Sequence, residues 1–212
     1  MAANYPVERF LFRGTAGDID VAAHLSSDVA PRAIAVVAHP HPLFGGTMEN
    51  KVVTTVARAM FDAGAAVFRF NFRGVGKTGG VHDEGCGETI DMLSVISHAR
   101  AMKGLSLPLW LAGFSFGGAV ASAVSEKLPA DEMVLVAPAF KRIAHGANAE
   151  DSGNAPASTL LIHGEHDQTV PLADSLEWAR SRDTAVAVVP GADHYFHMRL
   201  HIIKRLVARH LR

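Results

Sequence analysis

The fold is decided by the stretch Leu109-Trp110-Leu111-Ala112-Gly113-Phe114-Ser115-Phe116-Gly117-Gly118. An apolar run leads into Gly-x-Ser-x-Gly, and small residues that can begin a helix follow at positions 119–123. This order is typical of a nucleophile elbow, in which a strand turns sharply into a helix and holds a serine in a strained backbone conformation. Glycines flank such a serine because a side chain there would collide with the neighbouring strand or helix. The pattern predicts Ser115 as a nucleophile; the alternative is a serine in an ordinary glycine-rich turn.

A serine nucleophile of this type needs an acid and then a histidine further along the chain. The acid is expected in residues 164–171, which follow an apolar strand at residues 158–163. Carboxylates just beyond a strand's carboxyl end lie on the edge where open parallel sheets bind ligands. Glu165 and Asp193 are competing candidates, but the loop at Asp167 is long enough for its carboxylate to reach back to an imidazole. Asp167 is therefore the predicted acid.

The chain has 12 histidines, so position must decide which one serves as the base. His194 follows the last predicted strand, at residues 184–189, and precedes the last helix, which gives it both the right order and the right edge. His163 lies inside a strand and is more typical of a hydrogen-bonded core histidine. Others fall within predicted helices, namely His98, His197, His201 and His210. His194 is the predicted base.

These segments together resemble the α/β-hydrolase superfamily. The match is specific at Gly-Phe-Ser-Phe-Gly (113–117), Gly-Glu-His-Asp-Gln-Thr-Val-Pro (164–171) and Gly-Ala-Asp-His (191–194), and it extends over nearly the whole chain. Residues 39–51 and 70–76 are similar to those of small, lidless bacterial hydrolases related to the dienelactone hydrolase group. Dienelactone hydrolases carry cysteine as the nucleophile, whereas this chain carries serine, which argues against a lactone as substrate.

The resemblance implies a single α/β-hydrolase domain over residues 1–212, with a mostly parallel eight-stranded sheet, helices on both faces and no lid domain. Alternating strand and helix patterns favour the same α/β class. Strands are predicted near residues 9–13, 19–25, 33–38, 65–72, 108–114, 132–137, 158–163 and 184–189. Helices are predicted at 48–63 with Thr47 as cap, at 88–103, and at the end of the chain, where apolar residues from Phe196 to Leu211 form one stripe.

Two backbone amides are expected to bind the oxyanion. One is the N–H of Phe116, the residue after the nucleophile. The other should come from residues 39–43, where the two prolines have no N–H to donate and only His41 or Leu43 remains. The resemblance favours His41, one residue beyond the position where relatives carry glycine. Two histidines in this loop could also indicate a metal, but no third ligand is evident, so neither a metal nor an organic cofactor is expected.

Composition limits the class of protein. At 212 residues and 49 % hydrophobic content, the chain can bury enough core to fold alone. A net charge of −1 gives no electrostatic case for binding nucleic acid or an anionic membrane. A leader pattern and an apolar run of membrane length are both lacking, which favours a cytoplasmic protein. The chain is expected to be a monomer or a homodimer. The single cysteine, Cys86, excludes an internal disulfide framework.

The function predicted is a serine hydrolase that cleaves small acyl substrates, esters or thioesters, through an acyl-enzyme formed on Ser115. The short segment 139–157, where related hydrolases often insert a lid, predicts an open groove. One alternative is a lactonase like the dienelactone hydrolases, and another is a hydrolase fold kept as a non-catalytic binding module. Residues 74–79 match the dinucleotide pattern Gly-x-Gly-x-x-Gly, but no helix opens within them as that motif requires.

Overall fold

An eight-stranded sheet forms the centre of the protein in a computed structural model that describes residues 5–104, 106–143 and 158–212. Its strands lie in the spatial order β1-β2-β4-β3-β5-β6-β7-β8. β2 pairs antiparallel with both of its neighbours, and β3 to β8 run parallel to one another, so the prediction of a mostly parallel sheet is confirmed. The strands are β1 (Glu8–Arg13), β2 (Asp18–His24), β3 (Ala33–Ala38), β4 (Ala65–Phe70), β5 (Leu109–Phe114), β6 (Glu132–Val136), β7 (Thr159–Gly164) and β8 (Val186–Val189).

Helices cover both faces of this sheet, as predicted. One apolar core joins the sheet to α1 and α5, and a second core on the opposite face joins it to α2, α3 and α4. Short 3-10 helices lie at Pro42–Phe44 and Phe140–Arg142. The five α-helices of the described chain are α1 (Lys51–Asp62), α2 (Cys86–Lys103), α3 (Phe116–Lys127), α4 (Leu172–Ser181) and α5 (Leu200–His210).

The central strands are fully buried because helices pack against both of their faces. Every residue of β3, Ala-Ile-Ala-Val-Val-Ala, is buried, and so is every residue of β5. Continuous apolar runs of this kind, rather than alternating ones, are what a parallel sheet covered on both sides selects. Because β3 to β8 are parallel, the carboxyl ends of β3, β5, β7 and β8 lie along the same edge of the sheet. The predicted site residues follow these strand ends.

Two predicted helix starts were wrong. α1 begins at Lys51 rather than at residue 48, because the Asn50 side chain accepts a hydrogen bond from the Val52 N–H and caps the helix there. α5 begins at Leu200: Phe196 and Met198 have φ values of 53° and 59°, which interrupt the helix, although the Phe196 side chain is still buried in the core. His197 consequently lies outside the last helix.

The segment between β6 and β7, residues 137–158, is described only in part. It contains the 3-10 helix at Phe140–Arg142, and residues 144–157 of the predicted open segment lie outside the described residues. Over the part of the chain that is described, no helix is both long enough and apolar enough to cross a bilayer.

Candidate active site

Ser115 lies at the turn between β5 and α3, with φ of 55° and ψ of −120°. This backbone conformation is strained for a residue other than glycine, and the surrounding hydrogen bonds hold it. The Ser115 N–H donates to the Val136 carbonyl at 2.9 Å, and its own carbonyl accepts from the Gly118 N–H at 2.9 Å. A Cβ at Gly117 would collide with the His39 carbonyl oxygen, and one at Gly113 with Gly117. The glycines are thus required by close backbone approach, as the sequence predicted.

The three residues predicted as nucleophile, base and acid lie in one line of hydrogen bonds. Nε2 of His194 is 3.1 Å from Oγ of Ser115, and Nδ1 of His194 is 2.7 Å from Oδ2 of Asp167. All three residues are buried, with exposures of 6 %, 4 % and 9 % for Ser115, His194 and Asp167. A carboxylate only accepts hydrogen bonds, so Nδ1 carries the imidazole proton and Nε2 is left to accept from the Ser115 hydroxyl.

The Asp167 carboxylate is fixed by four donors. Its Oδ1 accepts from the amides of Thr169 and Val170, both at 2.8 Å, and its Oδ2 lies 3.4 Å from Nε2 of His163 in addition to the contact with His194. Burial raises the pKa of this carboxyl, but the hydrogen bonds from His163, His194 and the Val170 amide outweigh it and hold the pKa well below its usual range. Asp167 is therefore an anion at neutral pH.

His163 is a hydrogen-bonded core histidine, and it also touches Asp167. Its Nδ1 lies 2.8 Å from the Ser175 hydroxyl and its Nε2 lies 3.0 Å from the Val170 carbonyl. A carbonyl accepts and does not donate, so Nε2 carries the proton and points it toward Val170 and Asp167. The sequence pattern predicts a core histidine here but does not reveal the contact with Asp167, because that contact depends on how the loop after β7 folds back.

The two competing carboxylates are engaged elsewhere. Glu165 accepts a hydrogen bond from the Gly191 N–H at 2.8 Å, and Asp193 binds His197. Neither carboxylate makes a hydrogen bond to His194 among the contacts of the described chain. Of the three candidates, the structure brings only Asp167 to His194.

The two amides predicted for the oxyanion belong to the first residue of α3 and to the loop after β3, which lines the same groove as Ser115. Phe116 is the first residue of α3, and the first amides of a helix have no partner within it. In the loop after β3, the Leu43 N–H donates to Nδ1 of His41 at 3.3 Å, so that amide is occupied. The His41 N–H makes no hydrogen bond within the described ranges. Hydrogen bonding therefore favours His41 over Leu43, the choice that the sequence left open.

His39 ties the loop after β3 to the segment that follows the neighbouring strand β4. Its Nε2 accepts from the Phe72 N–H at 2.9 Å, and its Nδ1 donates to the Pro40 carbonyl at 2.6 Å. Burial lowers the pKa of His39 to about 4, so the ring is neutral and keeps this pair of roles at physiological pH. This role was not predicted; its one sign in the sequence is a histidine directly after a buried strand.

A groove of about 390 Å³ opens above these residues. It is lined by the loop after β3, by Arg142, Thr169 and Tyr195, and by Ser115 and His194. Burial lowers the pKa of His41 at the groove wall, and the charges of His82 and Arg142 lower it further. No group of three metal-ligating side chains occurs among the residues that the structure describes.

The glycine-rich loop at residues 74–79 is a turn and does not open a helix, since α2 begins only at Cys86. Arg73 anchors it: Nε and Nη2 of Arg73 bind the Asp91 carboxylate of α2 at 3.0 Å and 2.9 Å. The loop thus lacks the helix start that a dinucleotide-binding motif places against the phosphates.

Comparison with known proteins agrees with this geometry. Residues 29–151, more than half of the chain, match the family described as serine aminopeptidase, S33. An α/β serine hydrolase homologue from Coxiella burnetii is 33 % identical, with a TM-score of 0.84 and 97 % of both chains covered. A serine hydrolase without lid from Xanthomonas campestris is also 33 % identical, with a TM-score of 0.88 over 97 % of this chain and 93 % of the other.

A relative without an assigned function shows how far the sequence similarity extends. An uncharacterized protein of Rickettsia prowazekii is 29 % identical over 194 residues, covering 87 % of this chain and 80 % of its own length. The family match, the fold and the elbow agree with one another, and the chain belongs to the serine aminopeptidase S33 family of the α/β-hydrolase superfamily.

Proposed function

We propose that the protein is a serine hydrolase that cleaves small esters or thioesters through an acyl-enzyme intermediate. The observation that carries this proposal is the unbroken line of contacts from Ser115 Oγ to His194 to Asp167, at 3.1 Å and 2.7 Å. Nucleophile, base and orienting acid within hydrogen-bond reach of one another are the signature of an activated serine. The groove above them exposes the hydroxyl to a substrate of modest size.

Acylation begins when Nε2 of His194 takes the proton from the Ser115 hydroxyl as Oγ bonds to the carbonyl carbon. The electron pair of the carbonyl double bond moves onto its oxygen, and the N–H groups of Phe116 and His41 donate hydrogen bonds to that oxygen. Such donors contribute most when they are fixed before charge develops, and His39 fixes the loop that carries one of them. The carbon–oxygen or carbon–sulfur bond then breaks, and the leaving group takes the proton from His194.

Deacylation repeats these steps with water. His194 takes a proton from a water molecule whose oxygen attacks the acyl carbon. The bond to Ser115 then breaks, and Oγ recovers the proton from His194 as the acid departs. Asp167, an anion held by four donors, keeps the imidazole in one orientation and stabilises its charged form in both halves of the reaction.

The proposal is tested by labelling and by turnover. A fluorophosphonate probe should label the wild-type protein on Ser115 and should not label the Ser115→Ala variant, and turnover of p-nitrophenyl acetate should fall by roughly 10⁴- to 10⁶-fold in that variant. Ser125→Ala is the matched control because Ser125 lies on α3, and its hydroxyl donates to the Ser122 carbonyl and to no other group of the described residues. It should label and turn over like the wild type.

Two results would contradict the proposal. If Ser115→Ala kept more than about a tenth of the activity, the nucleophile would lie elsewhere. A wild-type protein that neither takes the label nor cleaves any member of a panel of p-nitrophenyl esters, thioesters, lactones and aminoacyl amides would be a binding module. The same panel decides between the ester, lactone and peptide classes.

A further inference from the structure

The groove contains a cation that the proposed acyl transfer does not use. Arg142 ends the 3-10 helix Phe140–Arg142 that follows β6, and its side chain lines the groove together with Ser115 and His194. Its Nη2 donates to the Thr169 carbonyl at 3.2 Å. Thr169 also donates its N–H to Asp167, so the guanidinium is anchored to the loop that holds the acid.

No described carboxylate neutralises this guanidinium. None of the residues lining the groove is Asp or Glu, and no acidic side chain lies within 4.0 Å of Arg142 in the described ranges. Two buried carboxylates of the site are bound to other groups: Asp167 binds His194, and Glu88 binds His82 and the Gly85 amide. Within the described ranges, Arg142 is therefore a positive charge at the groove without a carboxylate partner.

The charge of Arg142 acts on a second residue of the groove. His41 also lines the groove, and the guanidinium is one of the charges that lower the pKa of its imidazole, after burial and His82. Because Arg142 lines the same groove as Ser115, a substrate that presents its carbonyl to Ser115 binds in the groove that the guanidinium borders.

We propose that Arg142 forms a subsite for an anionic group, and that the preferred substrates are esters or thioesters carrying a carboxylate or similar oxyanion besides the bond that is cleaved. This inference rests on the proposed function of the same groove. A guanidinium presents five N–H donors in a planar fork that matches the two oxygens of a carboxylate, and the Thr169 carbonyl engages one nitrogen of the five-donor set.

The neighbouring Lys141 provides a matched control. It lies on the same short helix and also carries one positive charge, but its Nζ binds Asp174 at 2.8 Å and Glu177 at 3.1 Å, and it does not line the groove. Lys141→Gln removes the same formal charge from the same part of the surface. A difference between the two variants therefore reports the position of Arg142 and not the overall charge of the protein.

The test compares substrate pairs that differ only in charge. p-Nitrophenyl hemisuccinate against p-nitrophenyl butyrate places the carboxylate in the acyl half, and 4-(butyryloxy)benzoate against its methyl ester places it in the leaving group. We expect the wild-type ratio of kcat/KM, anionic over neutral, to fall roughly tenfold or more in Arg142→Gln for at least one pair, because hydrogen bonds to charged groups contribute at this level. Lys141→Gln should keep the wild-type ratio and the wild-type turnover of butyrate.

Binding of inert analogues separates this proposal from the proposed function. N-Phenylsuccinamic acid and butyranilide differ by the same carboxylate, and calorimetry measures their affinities whether or not any ester is hydrolysed. Arg142→Gln should weaken only the acid, by a similar factor. If the anionic-over-neutral ratio of Arg142→Gln stays within about twofold of the wild-type ratio, in kcat/KM for both substrate pairs and in affinity for the analogues, the proposed subsite is overturned. A drop of the same size in Lys141→Gln would overturn it as well, since general surface charge would then explain the preference.

Discussion

Replacing Asp167 by Asn removes one charge and no volume, and the structure dictates how the new amide must sit. The amides of Thr169 and Val170 donate to Oδ1 at 2.8 Å each, so the amide oxygen has to occupy that position. The NH₂ group is then directed at Nδ1 of His194, 2.7 Å from the atom it replaces. Two donors cannot face each other at this distance, so His194 must give up its Nδ1 proton and carry the proton on Nε2 instead.

That change of tautomer disables the base, because Nε2 would then point a proton at the Ser115 hydroxyl instead of accepting one. We expect kcat for p-nitrophenyl acetate to fall by about 10⁴-fold, the scale of losing the correct tautomer in a serine triad, which is about 5.5 kcal/mol of activation free energy. The fold should persist, since the buried amide still accepts both backbone hydrogen bonds. Urea unfolding followed by tryptophan fluorescence checks this.

The difference in stability between the wild type and this variant has a defined pH dependence, because only the wild type carries the titrating carboxyl. The pKa of Asp167 is depressed in the folded protein, so its carboxylate stabilises the fold above the unfolded value of about 3.9 and this contribution is lost as pH falls through the folded pKa. Asp167→Asn should therefore be less stable than wild type at pH 7. Glu165→Gln and Asp193→Asn are the matched controls and should lose activity only slightly. A larger loss in Glu165→Gln than in Asp167→Asn would refute the assignment of the acid.

Two further expectations concern the buried histidine and the groove. Because burial lowers the pKa of His39 to about 4, the unfolded chain binds more protons than the folded one between about pH 6.5 and 4, and stability falls as pH drops through this window. Between pH 8 and pH 5, the free energy of unfolding measured by urea titration should fall by about 2 kcal/mol less in His39→Asn than in the wild type. An equal fall in the two proteins would exclude His39 as the cause. Since only residues 137–158 join β6 to β7, acetyl and butyryl esters should match or exceed long acyl esters in kcat/KM; a severalfold rise per two carbons up to twelve would contradict an open groove.

The order of the strands and four of the five described helices could be predicted from the sequence, whereas α4 and two helix starts were not predicted. Thr47 and Asn50 are both good capping residues; in the structure the Asn50 side chain accepts from the Val52 N–H, whereas Thr47 Oγ1 accepts from the Glu49 N–H, before α1 begins. The apolar spacing from Phe196 onward fits a helix, and Phe196 is indeed buried on the expected side. Its positive φ value leaves no trace in the spacing of apolar residues, so the start of α5 was predicted too early.

The candidate site, too, could be predicted from the sequence only in part. Chain order and position at the strand ends were enough to choose Ser115, Asp167 and His194 from many serines, carboxylates and histidines. The second contact of Asp167, with His163, and the clamp formed by His39 depend on how loops from different strands meet. Such contacts have no periodicity and no fixed spacing along the chain, so sequence patterns could not reveal them.

The strands that carry Ser115 and His194 differ in how deeply they are buried in the sheet. The elbow and the loop after β3 leave adjacent central strands, paired at Ala38 and Gly113 and buried on both faces. His194 instead follows β8, an edge strand of four residues that pairs only with β7 and leaves Val188 40 % exposed. Local unfolding of an edge strand costs less free energy than local unfolding of the buried core. Brief opening of this edge would separate the base from Ser115 while the elbow stays folded, so that activity can be lost and regained without the molecule unfolding.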